Sequence, residues 1–474
     1  MTNLDMIFGN NPELLKNIRL RLRTKVAKAS ILIYIIFIIS VCLLSFYGFK
    51  DYPVFPLDKY CQITFTIIAG VQFLISFFIG SIMVSESIAM EREKGSLDFL
   101  YMLPINKWVL ITGKLLGVPI IVYVSLALTL PLSIYCLIVS GISLYGFCIF
   151  YLMLIFGSFL FYIWALLAST VSPKYSWANS LTLLGIILFI IFTFNPSLQF
   201  LNPLVYLGKL WNNGIIESTV FYGLKFYNPL LAIIFYIIFS FWMLTGIKHH
   251  LTNHWDTVFN KKQIISLFII FLFIFWGFYN SGASTYTAGL MENYKLNLLF
   301  TIALILITSF GFLNNESYTK IRTFIFNNKE RDIFFFIKHY LETLILLLII
   351  FIVSTLIFIA FFGGYKQPDV IIYKFLIFFI FSLIYFLAIY LINLWPGKNQ
   401  NSIIVGIFAV SLIIPIPFET LIFPFNPFDL LLLGSASPTK LIICITSDLI
   451  LLFVISGIFY SRLKFLINKI KTKC

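Results

Sequence analysis

Charge is what this sequence has least of. Only 11% of its 474 residues are Asp, Glu, Lys or Arg, against roughly 25% in soluble domains, and 60% are hydrophobic. That deficit excludes a water-soluble globular fold for the bulk of the chain. Acids are scarcer than bases, 19 against 33. Histidine and cysteine number only four and six, without a CxxC or a Cys/His cluster, so no zinc or redox motif is written here. His249, His250 and His254 share one short basic stretch and read as a solvated linker. No G-x-x-x-x-G-K-[ST] occurs, which excludes a P-loop nucleotide site. No cleavable signal peptide is expected, because the first apolar run is span-length and follows a basic segment.

What is present in abundance is apolar runs of the length a helix needs to cross a bilayer, about 20 residues. Periodicity and length predict about twelve spans. They lie near 30–49, 61–84, 107–138, 146–171, 177–194, 228–248, 263–281, 295–313, 333–362, 371–394, 402–418 and 440–460. With the N-terminus inside, the inner segments and adjoining span ends hold about three quarters of the Lys and Arg, which is the positive-inside rule. The expectation is an all-α, multi-pass protein of the cell's inner (cytoplasmic) membrane with both termini cytoplasmic. The net charge of +14 is then topological and faces the lipid bilayer. No nucleic-acid recognition module accompanies it.

Before the first span stands NNPELLKNIRLRLRTKVAKA. Asn11 can cap a helix, Pro12 suits its first position and Glu13 its first turn. Leu14, Leu15, Ile18, Leu22, Val26 and Ala29 share a stripe, and Lys and Arg fill most of the rest. This segment, 12–28, reads as an amphipathic helix lying in the headgroup layer.

The chain also repeats itself. At one constant offset Lys107 falls on Arg331, Lys114 on Lys338, Lys174 on Lys398, and Asn202-Pro203 on Asn426-Pro427. Six spans per half is an even number, so the two units, 1–250 and 251–474, share orientation as parallel repeats. Outer segments 195–227 and 419–439 carry the Asn-Pro pairs and read as short re-entrant pieces, buried in protein because lipid cannot satisfy their backbone.

Most of the informative charge lies between the second and third spans, in SESIAMEREKGSLDFLYMLPINKWVLITGK. Glu86, Glu91, Arg92, Glu93 and Lys94 continue the second span as an acidic stem into water. Gly95 breaks that helix, Ser96 caps a short apolar one over 96–103 with Asp98 in its first turn, and Pro104 stops it. Lys107 and Trp108 restart the chain as interfacial anchors, with Lys114 at the headgroups. An apolar helix held out in water needs either a partner surface or the membrane surface to cover it.

The pattern E-R-E-x-G-[ST]-L-[ED]-x-L, with a following proline, a base and then G-K, resembles the segment that ABC-2-type transporter permeases carry between their second and third spans. Glu91, Arg92, Glu93, Gly95, Ser96, Leu97, Asp98, Leu100, Pro104, Lys107, Gly113 and Lys114 match it position for position. The resemblance covers residues 1–250, and reaches the remainder only through the repeat. It implies the transmembrane subunit of an ABC exporter, with loop 85–106 carrying a coupling helix that docks on a separate ABC ATPase subunit, in two copies. ATP and Mg²⁺ are then expected on that partner, and no cofactor and no catalytic residue in this chain. It implies also that 12–28 is the connecting helix and 195–227 the re-entrant outer segment. The second half departs from the pattern: its inner loop, 314–332, keeps Glu316 and Glu330 but lacks the E-x-E-x-G-S-L core. One chain supplying both units makes a pseudodimeric pore, and pairing with a second permease chain is the alternative arrangement.

Two other function classes compete. A membrane glycosyltransferase or polysaccharide polymerase would find candidate carboxylates in Asp51 and Asp58, although the outer loops are short for it. An ion-coupled transporter calls for more intramembrane charge than Asp448, placed about 12 Å into the last span, and Glu342 provide. A carboxylate at the depth of Asp448 is costly and points to a substrate path or gate, or else is satisfied by neighbouring hydroxyls.

Overall fold

The computed structural model describes residues 11–50, 57–97, 106–141, 143–172, 174–193, 199–210, 218–221 and 224–252, with scattered positions beyond. The chain divides into two units, Met1–His254 with Val258–Ser281, and Trp255–Thr257 with Gly282–Cys474. In the second unit the described residues are helical positions at 380, 446, 449–450, 453–458, 460–461 and 464. Most of the second set of six spans, the second copy of the repeat, inner loop 314–332, outer segment 419–439, Asn426, Pro427 and Asp448 lie outside the described residues.

The first unit is a helical membrane bundle. Its helices are α1 (Pro12–Arg23), α2 (Lys25–Lys50), α3 (Leu57–Leu74), α4 (Ser81–Glu93), α5 (Lys107–Gly117), α6 (Ile120–Ser140), α7 (Leu144–Val171), α8 (Tyr175–Thr193), α9 (Pro203–Leu210) and α10 (Asn228–Thr252). Helices stand at all six places where the sequence predicts spans before residue 250. Among the described residues four helical spans are long and apolar enough to cross a membrane: Leu57–Glu93, α6, α7 and α10. The pair Pro12–Arg23 and Ala27–Leu43, bent by 66°, makes a fifth if counted as one.

Two differences from the expectation have local causes. The third span is broken into α5 and α6 at Val118 and Pro119, because Pro119 has no N–H to continue the ladder. The fold is also not purely α. Strands β1 (Ser218–Phe221) and β2 (Leu224–Tyr227) pair antiparallel, Ser218 opposite Tyr227. Their Thr, Val, Phe and Tyr residues around Tyr-Gly are a legible hairpin signal.

Helix α7 is the centre. It packs against α4, α8, α9 and α10, while α3 packs against α6 and α1 against α5. The core is aromatic: Phe73 and Phe77 stack at 4.2 Å between ring centroids, Phe77 meets Phe161 at 5.1 Å, and Phe161 meets Phe189 at 4.9 Å. Between α3 and α4 the helix widens into a π-helical turn, Ile75–Gly80. Gly80 closes that turn against Tyr162, whose hydroxyl would lie 2.4 Å from any Cβ added there.

A polar network lies inside this apolar bundle. Gln72 donates to Thr129 Oγ1 at 2.8 Å and accepts from the Tyr151 hydroxyl at 2.9 Å, and Tyr34 donates to the same Thr129 oxygen at 3.4 Å. The network ties α2, α3, α6 and α7 together where no water competes, and such bonds are worth about 0.6–1.7 kcal/mol each. Gln72→Leu should therefore lower the stability of the detergent-solubilised chain by about 1 kcal/mol, read as an earlier thermal unfolding transition.

Candidate functional site

The charged end of the bundle is assembled from α1, the end of α4, the start of α5, and the junction between α7 and α8. Helix α1 forms as its sequence directs. Asn11 Oδ1 accepts from the N–H groups of Glu13 and Leu14, both at 3.0 Å, and Pro12 occupies the first position. The Asn11 amide then reaches out of the helix and donates to Val109 O at 2.8 Å and Thr112 Oγ1 at 3.1 Å on α5. Asn106 caps α5, accepting from Trp108 N at 3.0 Å.

The seat for α1 is a pair of glycines. A Cβ on Gly113 would come within 2.8 Å of Glu13 Cβ, and one on Gly117 within 2.8 Å of Asn17 Cβ. Gly113-x-x-x-Gly117 thus lets two backbones approach as small-residue pairs do in membranes. The face that α1 turns to the protein is centred on Glu13 and Asn17, while Leu14, Ile18 and Leu22 are half-buried on its flank and Leu15 is exposed.

That approach brings four charges together. Lys114, only 1% exposed, donates to Glu91 Oε2 at 2.7 Å and lies 3.6 Å from Glu13. Lys16, half-exposed, contacts the same two carboxylates at 3.2 and 3.6 Å. The sequence places Lys114 at the headgroups as an anchor. In the structure protein encloses it, because the glycine seat carries Glu13 over it. Burial lowers the Lys16 pKa, but the Glu13 and Glu91 carboxylates outweigh that effect and raise it above the usual 10.5. Its contribution to stability is fully present below the unfolded value of 10.5 and is lost as pH rises through the higher folded value.

Successive helical residues point about 100° apart, and the triplet Glu91, Arg92, Glu93 uses all three directions. Glu91 takes Lys114. Arg92 Nη2 donates to Thr170 O at 2.7 Å and Nη1 to Ser172 O, at the C-terminal end of α7. Glu93 Oε1 accepts from Tyr175 N at 3.1 Å, at the N-terminal end of α8. Each sign matches the helix end it meets, cation at carbonyls and carboxylate at amides. Upstream, Glu86 accepts from the Asn179 amide at 3.1 Å, and Ser169 Oγ accepts from Ile88 N and Ala89 N at 3.1 and 2.9 Å. The stem is therefore fastened into the bundle, and is not a free acidic extension into water. The reason is that α7 ends and α8 begins beside it.

The stem ends at Gly95, whose φ of +70° is left-handed. Ser96 Oγ donates to Glu91 O at 3.1 Å across the break. The chain is helical again at Ser96 and Leu97, and Leu97 is buried. Asp98, Leu100 and Pro104 lie outside the described residues. Lys107 opens α5, and the Lys248 ammonium sits 5.1 Å over the Trp108 ring, joining the last turn of α10 to the start of α5. At the other end of the bundle Asn202 caps α9, accepting from Leu204 N at 3.0 Å, with Pro203 at its first position. Helix α9 packs on α7 and α3. Asp58 is exposed in the first turn of α3, and Asp51 lies outside the described residues.

Sequence reasoning singled out Glu91 and Lys114 but missed Glu13 and Lys16 as their partners, and missed Asn11 and Asn17 as the side chains that fasten α1 to α5. Two signals were available: the small-residue spacing of Gly113 and Gly117, and a lone acid, Glu13, in an otherwise basic helix. Among the described residues no group of three His, Cys, Asp or Glu could hold a metal ion. No protein-family model, curated protein or solved structure matches the chain.

Removing the Lys114 ammonium leaves two carboxylates to the single half-exposed Lys16. Lys114→Met should cost about 3 kcal/mol, since breaking one side of a buried ion pair leaves the other uncompensated. Lys16→Met should cost about 0.5 kcal/mol. Adding Glu91→Gln to Lys114→Met should recover part of the loss, checked as a double-mutant cycle by denaturation in detergent.

Proposed function

We propose that the chain is the membrane-spanning permease subunit of an ABC-2-type export system. ATP and Mg²⁺ are held by a separate ATPase subunit, and this chain catalyses nothing. Its twelve spans form two parallel six-helix units in the inner membrane, with both termini and the charged end of the bundle cytoplasmic. The short helix 96–103 docks on the ATPase, and the second unit docks by a divergent loop.

The observation that carries this reading is the three-way fastening of Glu91, Arg92 and Glu93. A push on the chain just beyond Gly95 reaches α5 through Glu91, α7 through Arg92 and α8 through Glu93. A coupling element needs that property: a small displacement at one point must move several spans as a unit. Gly95 supports the reading too, since its left-handed backbone ends the stem and turns the chain at that point.

The test is purification of the full-length chain from its own membrane. A P-loop ATPase should copurify, and Leu100→Asp should reduce its retention by at least about tenfold, as loss of an interface anchor does. Gly95→Pro, which cannot take a positive φ and loses the Gly95 N–H bond to Arg92 O, should uncouple transport while hydrogen exchange in α6 and α7 stays at wild-type rates. Absence of any ATPase, or full transport in both variants, would sink the proposal.

A further inference from the structure

Helix α1 carries a surface that neither the bundle nor the charge network uses. Its inward face holds Asn11, Glu13 and Asn17 against α5. Its outward face exposes Arg19 and Arg23, and the cations continue past the bend as exposed Lys25 and Lys28. Among the described residues no carboxylate lies in ion-pair reach of these four. Leu15, 45% exposed, stands on the same face, one turn before Arg19.

The bend sets the attitude of this surface. Thr24 leaves the helix with an extended ψ of 142° and its hydroxyl accepts from Ala27 N at 3.1 Å, so α1 ends and α2 begins within one residue. The 66° between the two segments, with Leu32, Ile33, Ile36 and Phe37 of α2 exposed, places α1 nearer the membrane plane than its normal if α2 follows that normal. A helix in that plane presents exposed leucines to acyl chains and guanidinium forks to phosphates.

We propose that the outward face of α1, with Leu15, Arg19 and Arg23, together with Lys25 and Lys28 at the start of α2, is a docking surface for anionic phospholipid headgroups. Lipid bound there holds α1 down on α5 and keeps Glu13 over Lys114. Membrane charge thereby regulates the stem to which Glu91 belongs. Binding follows from the charge complementarity alone, whereas regulation rests on the coupling reading given above. The occupant is a headgroup of net negative charge, because a zwitterionic one offers the cations a phosphate already paired with its own ammonium.

Hydrogen exchange of the full-length chain in nanodiscs tests this directly. Exchange across 12–23 should be slower in phosphatidylcholine doped with phosphatidylglycerol than in phosphatidylcholine alone, and added salt should erase the difference. R19Q/R23Q/K25Q/K28Q should abolish it while exchange in α6 and α7 stays at wild-type rates, which shows that the variant is folded. Retention of phosphatidylglycerol by the solubilised chain should fall about fivefold for each cation removed. E13Q should loosen α1 from α5 in both membranes and lower lipid retention far less than the quadruple variant does. Equal exchange in both membranes, or full protection in the quadruple variant, overturns the proposal; an acidic protein surface covering α1 would give that result. Protection that persists while hydrolysis by the copurified ATPase ignores headgroup charge overturns the regulatory half alone.

Discussion

A single ammonium, buried to 1% exposure at Lys114, constrains everything around it. Taking that charge out of water costs several kcal/mol unless carboxylates meet it at close range. One comes from α4 and one from α1, so two separate segments must converge on α5 for the site to exist. The glycines at 113 and 117 are the steric half of the same requirement, since any side chain there would lift Glu13 off its partner. Local capping, close packing and charge pairing thus agree at one place, which is the mark of a sequence that specifies its structure.

The rest of the charged end follows from economy. A bundle whose membrane-facing residues are apolar has few polar side chains left to finish its helix ends. The triplet after Met90 finishes several at once: Arg92 closes the exit of α7 and Glu93 opens α8. The interior shows the same logic, where one amide, Gln72, satisfies a threonine and a tyrosine from two other helices.

How much of this could be read in advance depended on whether the signal was local. The cap at Asn11 was read from residue type and position, and α1 starts where it predicts; Asn106 and Asn202 cap their helices by the same chemistry. The break at Gly95 and the span positions before residue 250 were legible for the same reason, as backbone chemistry and length need no partner. The fate of the charges was not legible. Glu91 and Lys114 look solvent-bound in a linear reading because the carboxylate-bearing α1 lies far away in sequence. The interruption at Pro119 and the hairpin 218–227 were written in plain signals, but a long apolar run hid the first and the all-helical expectation hid the second.

The π-helical turn Ile75–Gly80 acquires a meaning from what lies beyond it. A π turn holds one residue more than an α turn, and one residue is about 100° of rotation. The turn therefore works as a phase shifter, setting the azimuth of every side chain after it against the aromatic core before it. Without that offset the stem would arrive one position out of step. Met90, not Glu91, would then face the Lys114 ammonium, and the attraction between α4 and α5 would be lost. The charge pairing at this end is thus encoded about three turns away, in the interior of the span.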